Sequence, residues 1–113
     1  MFMFIVLVLV APVELRTQYM CHGKTPQGKY DTVLTIEKKD NAYILTWASA
    51  AGISAKGIGV RSEDVLAAMY VNPQSQGGVI LFKITKGGLE GIWTMGTGQV
   101  YKETCTFGLA SNA

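Results

Sequence analysis

From Tyr19 onward the chain alternates apolar and polar residues in short runs. Glycine or Asn/Asp clusters break these runs every ten to fifteen residues, and no stretch keeps a 3.6-residue period for three turns. In a strand, successive side chains point to opposite faces, so the pattern commits the chain to strands with one buried face each. The candidates run from Leu15 to His22, Gly28 to Lys38, Ala42 to Ala50, Ser54 to Arg61, Val65 to Val71, Gly78 to Thr85, Leu89 to Met95 and Gln99 to Leu109. A helix over Ser62 to Met69 competes, with Ser62 as its cap, but Asn72-Pro73 would end it after two turns, and the segment is read as strand.

The joins include Lys39-Asp40-Asn41, Ala51-Gly52, Lys86-Gly87-Gly88 and Gly96-Thr97-Gly98, short and rich in residues that tolerate positive φ. Short joins make consecutive strands antiparallel neighbours. Alternation then gathers Tyr30, Thr32, Leu34 and Ile36 on one side, with Tyr43, Leu45 and Trp47, Leu66, Ala68 and Tyr70, Ile80, Phe82 and Ile84, and Leu89, Gly91 and Trp93 on the matching faces of later strands. A single sheet with one apolar face buries that face by curling on itself, which also removes its open edges. The expected fold is all-β: a small antiparallel up-and-down β-barrel of about eight strands in meander order, lipocalin- or avidin-like in architecture.

Such a barrel sets its first and last strands side by side. Cys21 lies in the first and Cys105 in the last, so a disulfide between them is expected, and with it an oxidising compartment. Met1 to Ala11 is wholly apolar. As a helix it would rise only about 16 Å, too short for the roughly 30 Å core of a bilayer but the length of a signal-peptide core. Residues 1–14 are therefore read as a leader and 15–113 as one barrel domain, exported to the periplasm or secreted, with no stable membrane span. A buried first strand or a hydrophobic tail is the alternative reading of the same run, which no Lys or Arg precedes. Met20 stands before Cys21 where a lipoprotein anchor would need a small residue.

Ten Lys+Arg against eight Asp+Glu leave a net charge of +2, and the cations are scattered, which argues against a nucleic-acid partner. With one His and two Cys there is no metal-ligand spacing, and Gly57-Ile58-Gly59-Val60-Arg61 lacks the Lys-Ser/Thr of a phosphate loop, so no metal or cofactor is expected. Cys21 and His22 are adjacent on a strand and face opposite ways, which prevents them from sharing a proton. Asp31, Glu37 and Glu90 alternate outward, leaving no second inward acid to pair with Glu103. No catalytic residues are assigned, and the chain is read as a non-enzyme.

The segments Gly28-Lys29-Tyr30, Leu34-Thr35-Ile36-Glu37-Lys38, Tyr43-Ile44-Leu45-Thr46-Trp47, Leu66-Ala67-Ala68-Met69-Tyr70 and Gly88-Leu89-Glu90-Gly91-Ile92-Trp93, followed by Glu103, resemble one family. It comprises small exported proteobacterial proteins called fibronectin-binding proteins, and the similarity spans roughly residues 19 to 105. The approach to Glu103 through Val100-Tyr101-Lys102 and the join Ala50-Ala51-Gly52 depart from the family pattern. The resemblance implies an exported binding protein with a host matrix protein as partner, and it supplies no catalytic residues.

Within the barrel, Tyr30, Tyr43, Trp47, Tyr70 and Trp93 face inward and could line a ligand pocket, or simply fill the core. Glu103 shares its face with Tyr101, Cys105 and Phe107; buried there, it needs a partner, either a ligand or Arg61 or a tyrosine hydroxyl. Two functions of different class follow. One is a monomeric binding module for a small apolar ligand or a host matrix protein. The other is an inhibitor of a protease or lysozyme, presenting the Asn72 to Gly78 loop or the segment after His22.

Overall fold

The computed structural model describes residues 12–107; the expected leader Met1–Ala11 and the expected end of the last strand at Leu109 lie outside them. Eight strands form in order: β1 (Gln18–Thr25), β2 (Gly28–Lys39), β3 (Ala42–Ser49), β4 (Gly52–Ser62), β5 (Val65–Val71), β6 (Gly77–Thr85), β7 (Gly88–Thr94) and β8 (Tyr101–Thr106). Each pairs antiparallel with its neighbours in sequence, and β1 pairs with β8 to close the barrel. The meander read from the alternation is the fold. Among the described residues no helix is long and apolar enough to cross a membrane.

The inward positions are those the alternation assigned. Leu34, Leu45, Leu66, Phe82 and Leu89 are fully buried, with Ile36, Ile80 and Ile84 around them. Cys21 and Cys105 face each other across the β1–β8 seam and are joined by a disulfide, with Cα atoms 4.0 Å apart and a separation of 84 positions in sequence. Bridges of this kind persist in oxidising compartments.

Several boundaries differ from the expected ones, three of them at strand starts that shape the two ends of the barrel. The chain enters β1 at Gln18, not Leu15, because residues 12–17 turn beneath the barrel: Val13 and Leu15 pack against the core, the Val13 carbonyl accepts a hydrogen bond from Arg61 Nη2 at 2.6 Å, and Thr17 O accepts one from Ile36 N. This strap, with Tyr19 and Phe107, closes the end of the barrel that holds the β2–β3, β4–β5 and β6–β7 turns. At the other end, β4 begins at Gly52, and a bulge opposite Trp47/Ala48 inserts Ser54, whose hydroxyl donates to Trp47 O. β8 begins at Tyr101, because the glycines Gly96 and Gly98, at φ 87° and 88°, hold the preceding loop out of the sheet.

The outer surface is not uniformly polar. Across β4, β5 and β6 the register aligns Ile58, Met69 and Val79; across β4 to β7 it aligns Val60, Ala67, Leu81 and Ile92. All of these except Ala67 are exposed. Branched residues suit the pleated backbone whichever way they point, so a β-rich chain carries them on both faces.

Candidate functional site

The open end of the barrel leads into a cavity of about 310 Å³. Its rim is polar, with Thr25, Asp31, Ser49, Ser54 and Asn72, and its walls are Tyr30, Trp47, Tyr70, Trp93 and Ile80. The rim comes from the β1–β2, β3–β4 and β5–β6 ends and the walls from inward positions one or two residues deeper, so alternation alone grades the cavity from wet to dry.

The aromatics form a continuous wall. Tyr30 meets Trp93 edge-on at 6.1 Å, Trp93 meets Tyr70 edge-on at 6.3 Å, and Tyr70 lies 5.8 Å from Trp47, which stacks on Phe82 beneath it. Glu103 is 4% exposed and reaches into this wall from β8. Its Oε2 accepts from Trp47 Nε1 at 3.1 Å and its Oε1 from the Tyr30 hydroxyl at 2.9 Å, while the Tyr30 oxygen accepts from Trp93 Nε1 at 3.0 Å. The fourth ring is held separately: the Tyr70 hydroxyl donates to Thr94 O at 3.0 Å.

Burial pushes the Glu103 carboxyl above its ordinary range, and the two donors from Trp47 and Tyr30 pull it part of the way back. Burial, together with the neighbouring Glu103, pushes the Tyr30 hydroxyl well up and the Tyr70 hydroxyl up to about 12. Both phenols are therefore fixed as neutral donors at ordinary pH. The site offers an aromatic-walled pocket and one buried carboxyl whose two hydrogen bonds leave part of its acceptor capacity open.

Five of the six expected site residues meet here: Tyr30, Trp47, Tyr70 and Trp93 line the cavity with Glu103. Tyr43 does not; it packs partly buried against the core, and its partner on β4 is Gly59, toward the closed end. Of the two partners expected for Glu103, the tyrosine hydroxyl is the one found. Arg61 instead binds the carbonyls of Glu63 and Val13. Cys21, Glu103 and Cys105 lie close enough to resemble a ligand set, but both sulfurs are consumed in the bridge and offer no thiolate. Asp31 at the rim is paired with His22 Nδ1 on the outer side.

Sequence reasoning passed over Gly23. It pairs with Tyr30 on β2 and with Glu103 on β8, and a Cβ there would sit inside the Tyr30 ring. The signal was available: Gly23 continues the inward series Tyr19, Cys21, and an inward glycine within a strand marks close approach by a neighbour. Ser54 was placed at a strand start, and no sequence signal marked it as the extra residue of a bulge. Comparison with known proteins yields no match to a family model, a curated protein or a solved structure.

Proposed function

We propose that this chain is an exported, non-enzymatic binding module that holds a small apolar ligand in the mouth of its barrel. The observation that carries the reading is the aromatic-walled cavity of about 310 Å³ above a filled core, at the lower end of the range for small-molecule sites. Of the two occupants expected from the sequence, it supports the small ligand over the host matrix protein. The disulfide supports export to the periplasm or secretion. The one buried carboxyl in the cavity already serves as acceptor to two fixed donors, an arrangement for holding and not for proton transfer.

The test is a screen of small aromatic and aliphatic molecules by the indole N–H resonances of Trp47 and Trp93. Binders are expected to shift both signals saturably, and Ala55→Phe, which fills the cavity from β4, is expected to abolish the shifts. A screen that moves neither resonance overturns the reading.

One observation favours the inhibitor reading as a second: the β5–β6 loop is tightly ordered. Asn72 Oδ1 accepts from the backbone N–H groups of Gln74 and Gln76, Asn72 N donates to Gln76 O, and Asn72 Nδ2 donates to Gln76 Oε1. Assay of lysozyme and protease activity with and without the protein tests it.

A further inference from the structure

Glu103 is a buried acid without a buried base. Its carboxylate accepts two neutral donors, Tyr30 and Trp47, and among the described residues it makes no salt bridge. Among the described residues no Lys, Arg or His lines the cavity; Glu103 is the acid that faces it, since Asp31 at the rim turns outward to His22. A buried acid is ordinarily paired or keeps its proton, so the cavity holds a carboxyl with no counter-charge from the protein, one that a cationic occupant would turn into a paired charge. Around it stand the rings of Tyr30, Trp47, Tyr70 and Trp93, whose faces are the negative part of the aromatic quadrupole. A carboxylate backed by two indoles and two phenols is the chemistry of cation recognition.

We propose that the ligand of this cavity is a small organic cation, an amine or quaternary ammonium carried on a compact apolar or aromatic body, with Glu103 as its counter-ion. The inference rests on the cavity being a ligand pocket and specifies what that pocket takes. An anionic ligand is disfavoured, because it would meet the Glu103 carboxyl and no positive group. A neutral apolar ligand would fill the volume but leave the open acceptor sites of Glu103 unused. Charge-assisted hydrogen bonds are stronger than neutral ones, and cation–π attraction grows as water is excluded.

The test titrates the intact protein with three soluble molecules that share one aromatic body: phenethylammonium, 2-phenylethanol and phenylacetate. Binding is followed by the Trp47 and Trp93 indole N–H resonances at neutral pH. Phenethylammonium is expected to bind about tenfold more tightly than 2-phenylethanol, with phenylacetate weakest. In Glu103→Gln, folded as judged by thermal unfolding, the ammonium should lose its advantage over the alcohol. Equal binding of ammonium and alcohol by the wild-type protein, or preference for phenylacetate, overturns the cation inference and leaves the pocket reading standing. Failure of all three to move either resonance overturns both. The wild-type comparison decides the matter even if Glu103→Gln does not fold.

Discussion

Trp47 and Glu103, 56 residues apart in sequence, are joined inside the barrel by a hydrogen bond from the indole Nε1 to Oε2 at 3.1 Å. The bond ties β3 to β8, three strands apart round the closed sheet, and gives the buried carboxyl a second donor beside the Tyr30 hydroxyl. Trp47→Phe keeps an aromatic but removes that donor and part of the packing on Phe82. Unfolding by guanidinium is expected to show a loss of roughly 2–4 kcal/mol.

The raised pKa of Glu103 has a definite sign in stability. Burial makes the folded state hold this proton more tightly than the unfolded chain does, so the contribution is fully present below the unfolded value of about 4.5 and is lost as pH rises through the folded value. Denaturation midpoints measured from pH 4 upward should therefore show a downward component in the wild-type protein that is missing in Glu103→Gln. An identical pH dependence in the two would contradict the assignment.

At the alkaline end two phenols of the cavity hold their protons. Tyr30 and Tyr70 are pushed up, both chiefly by burial, Tyr70 to about 12. Spectrophotometric titration should find Tyr30 and Tyr70 un-ionised at pH 11 in the folded protein, and all five tyrosines ionising near pH 10 in guanidinium. By the same linkage, the stability carried by these two hydroxyls is full below pH 10 and declines above it.

Replacing both Cys21 and Cys105 with Ser opens a loop of 84 residues in the unfolded chain. The chain-entropy model gives a loss of roughly 4.5 kcal/mol, a large part of a domain's usual 5–15. Chemical unfolding of the double variant beside the oxidised wild type measures it.

Gly23→Ala places a methyl where the Tyr30 ring lies. Tyr30 must move, and its hydroxyl leaves both Glu103 and Trp93. A cost of about 1–3 kcal/mol is expected, together with a shifted Trp93 indole N–H resonance as the direct sign of the broken chain.

The parts legible from sequence were those governed by period. Alternation fixed inward Leu34, Phe82 and Trp93 because a one-residue slip would expose a whole face, and closure followed because the sheet had no other way to cover that face. The Cys21–Cys105 bridge followed from closure. What alternation could not supply was depth along the barrel axis: Tyr43 and Trp47 share a face, yet one packs toward the closed end and the other walls the cavity. Depth depends on register and on how the strap of residues 12–17 turns, both set by long-range contacts. The partner of Glu103 was hidden for the same reason, since Arg61 and Tyr30 are equally inward by parity and differ only in which end they occupy. The exposed rows from Ile58 and Val60 were invisible to a pattern that assumes a single apolar face.

The strap packs across one end of the barrel, and among the described residues the cavity opens at the other. Any occupant enters and leaves past the same polar rim, so a second molecule cannot push the first out from behind. Exchange must pass through the empty barrel. On the proposed binding role, the rate at which one ligand replaces another is then set by departure of the first alone, whatever the concentration of its successor.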